Sequence, residues 1–156
     1  MRLRAYVINK MFKENNNITI IGAGLTGLAF CNLLKNTGVK INLIDINPKS
    51  FYENLNIDRH IVLSNTSRVI LEKIGLWKEI SIHCNKLKDI HISKKNIFGS
   101  TLVKSSDENL ESLGYQIPVK ELVKIFFHNI NNADNLEIAH NAEVTSVRPG
   151  KKVKIT

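Results

Sequence analysis

The first residues of this chain that could do chemistry are three glycines at fixed spacing, in the run Gly22-Ala23-Gly24-Leu25-Thr26-Gly27. Each has a different physical use. Gly22 permits a tight turn out of a strand, Gly24 lets a diphosphate approach bare backbone, and Gly27 lets a helix pack close to a sheet. A helix opening at Leu25 and Thr26 presents unpaired N–H groups and the positive end of its dipole to phosphates. Asp45 follows 18 residues after Gly27, where a carboxylate reaches the hydroxyls of an adenosine ribose. A glycine run alone is weak evidence. Strand, turn, helix, second strand and terminal acid in that order are much stronger, and they make nucleotide binding the expectation. The acid also disfavours a 2′-phosphate, because two anions would meet, so NADP is disfavoured at this site while NAD and FAD are not separated.

These residues need elements to hold them. Residues 18–21 are a short β-branched run, as for a strand buried on both faces. Residues 25–36 carry a wide apolar face at helical spacing, with Gly38 placed for a left-handed cap. Residues 39–45 alternate and are β-rich, which completes a βαβ unit with parallel strands. Asn47-Pro48 then breaks the chain into a loop. Ser64 or Asn65 can cap a helix to about Ile74 that Gly75 stops, and residues 76–83 suit a second short helix. Residues 86–93 alternate as a strand, with 100–104 as its partner; 107–113 read as a loop and 114–118 as extended. Residues 119–130 form an amphipathic helix, and 136–139 the third strand of the parallel sheet. A final hairpin over 143–148 and 151–155 turns at Pro149-Gly150. Residues 1–16 precede the folded pattern and are expected to be a disordered extension, with Met11 a candidate start; residues 17–156 are expected to be the amino-terminal portion of an FAD/NAD(P)-binding domain.

Other chemistries find less support. Cys31 and Cys84 lack metal or CxxC spacing, and Cys31 falls in the first helix as a core residue. The five histidines form no ligand cluster, so no metal site is expected. There is no Ser/His/Asp set and no paired carboxylates, so no catalytic residue is assigned. The net charge is +8, but it comes from 17 scattered lysines and only five arginines, which does not suggest nucleic-acid binding. No apolar stretch is long enough for a transmembrane segment.

NAD and FAD are separated by the block Asp58-Arg59-His60-Ile61-Val62-Leu63-Ser64-Asn65-Thr66-Ser67, followed by Leu71 and Ile74-Gly75-Leu76-Trp77. It resembles the D-x-R-x-x-x-L-S-x-x-S…L…G-[LI]-W region of the ubiquinone-biosynthesis hydroxylases, the UbiH/UbiF/VisC group of class A flavin monooxygenases, with the leading acid shifted slightly. Residues 87–92, the Phe98-Gly99 loop and Leu113-Gly114-Tyr115 extend the resemblance, which runs from about Ile18 to Thr156. The glycine motif is generic; the Arg59–Trp77 block is the specific part.

The resemblance implies an α/β, Rossmann-like FAD-binding domain: a parallel sheet, helices and a β-hairpin crossover, incomplete at the carboxyl end. It implies that Gly22, Gly24 and Gly27, with Leu25 and Thr26 at the helix start, hold the FAD pyrophosphate, that Asp45 holds the ribose, and that Arg59 lies against the cofactor. Ser64 and Ser67 read better as helix caps than as ligands, and Trp77 as a core anchor. Where relatives often carry a polar residue near the flavin this chain has Val119, with Gln116 and Lys120 as its polar neighbours. The implied activity is hydroxylation of a lipid-tailed, polyprenylated phenol with NAD(P)H and O2. The implied location is cytoplasmic, with peripheral contact at the inner membrane. The later Asp-Gly and Gly-Asp motifs are absent before Thr156, so the expectation is a truncated product, inactive alone. The alternatives are a non-catalytic dinucleotide-binding fragment, half of a split flavoprotein needing a complementary polypeptide, and, more remotely, an NAD-dependent dehydrogenase domain.

Overall fold

The computed structural model describes residues 17–96, 98–149 and 154–156. They form two compact units. One holds the described residues before 56 together with those from 123 onward; the other is Asn56–Leu122.

The first unit is built on β1 (Asn17–Ile21), α1 (Leu25–Leu34) and β2 (Lys40–Ile44), followed by the short α2 (Lys49–Glu53). β1 pairs in parallel with β2, and β2 in parallel with β8 (Leu136–Ala139), giving the strand order β1-β2-β8. The predicted βαβ unit and the third parallel strand are both present. Parallel strands need apolar cover, and the central strand has it: Val39, Ile41 and Leu43 are almost fully buried. α1 packs on β2 and buries Leu28 and Cys31, and Phe126, Phe127 and Ile130 of α5 (Val119–Ile130) are buried in the same unit. The apolar residues of α5 recur at helical spacing, which is why one face of it is buried.

α1 ends at Leu34, two residues short of the predicted end, and the left-handed residue after it is Asn36 (φ 59°), not Gly38. Asparagine tolerates that conformation, so it turns the chain two positions earlier. Asn135 stabilises the turn. Its amide donates to the carbonyls of Leu34 (3.0 Å) and Val39 (2.8 Å), and its Oδ1 accepts from Asn36 N–H (3.2 Å). Asn135→Ala would remove all three bonds, although Leu34 O keeps the Thr37 N–H and hydroxyl as donors, at a cost of roughly 1–3 kcal/mol. The expected outcome is a lower denaturant midpoint with an unchanged m-value.

The second unit holds β3 (His60–Leu63), α3 (Asn65–Lys73), α4 (Trp77–Ser81), β4 (Asn85–Leu87), β5 (Asp89–Ser93), β6 (Ser100–Lys104) and β7 (Gly114–Pro118). β7 lies between β3 and β4, antiparallel to both, and β5 with β6 forms a separate hairpin. The single strand expected over 86–93 is therefore two, serving different sheets. Strand β3 had no sequence expectation, since four residues bounded by charged and polar neighbours give little periodic signal. Ser64 caps α3, its hydroxyl accepting from Ser67 N–H at 3.1 Å, and Gly75 (φ 80°) ends the segment. Trp77 packs edge-on to Tyr115, with ring centroids 4.8 Å apart.

In the first unit β9 (Val147–Arg148) pairs antiparallel with β10 (Lys154–Ile155), where the closing hairpin is expected. The expected turn glycine Gly150, most of the predicted 151–155 strand and the extension over 1–16 lie outside the described residues. No described helix is long and apolar enough to cross a membrane.

Candidate dinucleotide site

The site begins where β1 stops. Gly22 adopts φ 95°, and its N–H donates to Ile44 O at 2.8 Å, tying the turn to the end of β2. That dihedral is open to glycine and strained for other residues. Gly24 is the N-cap of α1 in extended conformation, and no side chain caps the helix. The helical ladder opens with Leu28 N–H donating to Gly24 O, at 2.9 Å. The N–H groups of Leu25, Thr26 and Gly27 precede it, so helix geometry leaves them without intrahelical partners. No acidic residue lies in that first turn to compete for them.

Gly27 and Gly24 differ in their surroundings. A Cβ on Gly27 would sit 2.0 Å from Gly22 O and 3.3 Å from Ile20 Cγ2. The helix and the turn touch there backbone to backbone. A Cβ on Gly24 would meet nothing within 4 Å. Above the loop lies an open cleft of about 420 Å³, lined by the loop itself with Ile20, Ile21 and Phe30.

Asp45 is only 6% exposed, and its carboxylate is engaged on both oxygens. Oδ2 accepts the Ala23 N–H at 2.6 Å, and Oδ1 accepts the Asn47 N–H at 2.8 Å. The backbone of Asp45 joins the strand ends, its N–H donating to Ala139 O and its carbonyl accepting from Ala142 N–H. Burial acts to raise the Asp45 carboxyl, but the nearby Tyr52 hydroxyl and the Ala23 and Asn47 N–H groups outweigh it. The carboxyl is held below its ordinary value of 3.8. Tyr52 is itself buried, stacked on Phe127 with centroids 4.6 Å apart, and its hydroxyl has no partner in hydrogen-bond geometry among the described residues. Burial, reinforced by the Asp45 charge, pushes the Tyr52 phenol upward.

Six of the seven candidate residues, Gly22, Gly24, Leu25, Thr26, Gly27 and Asp45, thus belong to one neighbourhood of the first unit. Arg59 belongs to the second unit, immediately before β3. Its side chain is exposed, without an ion pair among the described residues, and its carbonyl accepts the Val119 N–H at 2.8 Å. Sequence reasoning missed the bond from Ala23 to Asp45 and the placing of Tyr52. The Asn47 contact had a signal, since an aspartate accepting from the N–H two residues on is a familiar local turn. Tyr52 had none. Among the described residues no group of three His, Cys, Asp or Glu lies together to hold a metal ion.

A strand, a bare glycine turn, an uncapped helix start and a buried acid are arranged as dinucleotide folds require, and the model of the FAD binding domain matches residues 15–154. The chain belongs to the FAD binding domain family. Among relatives of this FAD-binding chain, ubiquinone hydroxylase UbiM of Neisseria meningitidis is 26% identical over 140 residues, which cover 86% of this chain and 30% of that protein. The methylenetetrahydrofolate–tRNA-(uracil-5-)-methyltransferase TrmFO of Caldicellulosiruptor bescii is also 26% identical, over 89% of this chain and 30% of its own length. Among solved structures, p-nitrophenol 4-monooxygenase PnpA of Pseudomonas putida superposes with a TM-score of 0.71 at 14% identity, covering 89% of this chain and 36% of that one. PqsL of Pseudomonas aeruginosa, in complex with 2-aminobenzoylacetate, gives 0.68 at 17% identity, covering 89% and 37%. At such identities the structures show a shared fold. The FAD-binding chain spans about a third of the length of the proteins it matches.

Proposed function

We propose that this chain is the FAD-holding part of an aromatic-ring monooxygenase of the ubiquinone-hydroxylase type, with NAD(P)H as reductant and a lipid-tailed phenol as substrate. The observation that carries the cofactor reading is the contrast between the glycines: Gly27 has no room for a Cβ, whereas Gly24 faces open space beside an uncapped helix start. Bare backbone and helix-start N–H groups then face the space a diphosphate would occupy. The ubiquinone-hydroxylase reading is supported by the relative UbiM and by the Arg59–Trp77 block.

In this reading the N–H groups of Leu25, Thr26 and Gly27 bind diphosphate oxygens. Gly22 shapes the turn, and Asp45 accepts from a ribose hydroxyl with the lone pairs its backbone donors leave free. Arg59, exposed and without an ion pair among the described residues, supplies a guanidinium for a polar edge of the cofactor. Bound FAD supplies the redox and oxygen chemistry; the protein supplies binding, orientation and a dry pocket. No side chain here is assigned a proton-transfer role. The substrate pocket is assigned to polypeptide equivalent to the remaining length of the relatives, joined to this chain or supplied as a complementary partner. In this reading the protein is cytoplasmic, with peripheral contact at the membrane where lipid-tailed phenols reside.

Flavin fluorescence tests the cofactor reading. Titrating the 156-residue chain into FAD should quench or polarise the emission saturably, and excess ADP should reverse it while riboflavin does not. Absence of any saturable change, or equal competition by riboflavin, would overturn it. The hydroxylase reading is tested separately. The chain combined with a complementary polypeptide should bleach flavin absorbance with NAD(P)H and hydroxylate a prenylated phenol; flavin binding without either reaction would favour a dinucleotide-binding module.

A further inference from the structure

The Asp45 carboxylate touches the glycine loop directly. Its Oδ2 accepts the Ala23 N–H at 2.6 Å, in the middle of the turn between Gly22 and Gly24. Its Oδ1 accepts the Asn47 N–H, which fixes the side chain from the opposite direction. The residue is 94% buried, and its own N–H and carbonyl are bonded to Ala139 and Ala142, so the acid stands on an anchored backbone. Gly22, the neighbour of Ala23, is tied to β2 by its N–H on Ile44 O. Two bonds therefore hold the turn against the end of β2, and one of them is charge-assisted.

We infer that Asp45 is a positioning residue for the diphosphate as well as a sugar contact: it braces the glycine loop in its binding shape before any cofactor arrives. Two consequences follow. The Ala23 N–H is already taken, so the diphosphate is met by the amides of the α1 start and not by Ala23. And a carboxylate is required rather than any acceptor, because both of its oxygens face N–H donors. An asparagine could satisfy only one of them, and its NH2 would be turned against the other. The inference deepens the FAD reading and rests on it only for the phosphate arm of the test.

The test is amide exchange and pyrophosphate binding by the intact 156-residue chain, wild type and Asp45→Asn. Inorganic pyrophosphate is the probe because it has no sugar. The expected result is that the Ala23 amide, the Asn47 amide or both exchange at least tenfold faster in ligand-free D45N, while the amides of Leu43 and Ile138 keep their protection and pyrophosphate binds more weakly. Loss of the carboxylate charge would by itself strengthen anion binding, so weakening has the opposite sign from the electrostatic effect. Unchanged exchange at both Ala23 and Asn47, with unchanged or tighter pyrophosphate binding, would overturn the brace and leave Asp45 a sugar contact only. If D45N does not fold, wild-type acid titration decides. The Ala23 and Asn47 amide protons should shift together, with a common midpoint below 3.8, the ordinary value for aspartate. Insensitivity of the Ala23 proton would overturn the inference. Should wild-type chain fail to bind FAD while the Ala23 amide still responds to D45N, the brace stands and the cofactor reading falls.

Discussion

Replacing Gly27 with alanine should cost this chain at least about 3 kcal/mol and lower its melting temperature by roughly 10 °C, with FAD binding lost in parallel. The added Cβ would lie 2.0 Å from Gly22 O, closer than any real Cβ contact, and the obstacle is backbone rather than a side-chain end that could swing away. Relief requires α1 to lift from the sheet or the turn to move. Gly22 cannot move freely, because its N–H is bonded to Ile44 O and its φ of 95° leaves few alternatives. Lifting α1 would loosen Leu28 and Cys31, which are fully buried. The damage is therefore to the fold first and the cofactor second. Thermal unfolding followed by circular dichroism checks it; a melting temperature within 2 °C or so of wild type would refute the close packing of helix and turn.

Gly24→Ala is expected to behave in the opposite way: stability within about 0.5 kcal/mol of wild type, and FAD affinity down roughly a hundredfold. The backbone at Gly24 (φ −71°, ψ −177°) is open to alanine, and its Cβ would enter empty space. Lower freedom of the unfolded chain favours alanine, while its weakness as an N-cap disfavours it, and the two nearly cancel. The same empty space is where a diphosphate must approach, so the methyl group should be felt only when the cofactor binds. The pair of variants separates packing from binding within three residues of sequence. Equal affinity of G24A and wild type for FAD, measured by fluorescence titration, would remove the diphosphate from this loop.

Much of this was legible in the sequence because local and tertiary demands agree. The β-branched run of β1, the glycine spacing and the alternating residues of β2 each point to the same βαβ unit, and the structure contains it. α5 was readable for a related reason, since a twelve-residue amphipathic pattern is long enough to define a period. Short elements were harder. β3 and β4 have four and three residues, and their pairing with β7 depends on partners more than 25 residues away. Residues 86–93 carried a true alternation, but nothing in it marked Lys88 as the point where the chain leaves one sheet for another. The end of α1 shows a different limit. Both Asn36 and Gly38 can adopt the left-handed conformation, and Asn135, 99 residues on, supports the earlier turn by accepting the Asn36 N–H. At the site, residue types and spacing marked the glycines and the acid, while the second use of Asp45, on Ala23, needed the fold to bring the end of β2 against the loop.

A crystal structure of the chain grown with FAD tests the central claim most directly. Diphosphate oxygens should lie about 3 Å from the N–H groups of Leu25, Thr26 and Gly27, with the Ala23 N–H still on Asp45 and a ribose hydroxyl on the same carboxylate. A diphosphate seated elsewhere, or a cleft above Gly24 closed by protein side chains while flavin binds at another surface, would contradict it.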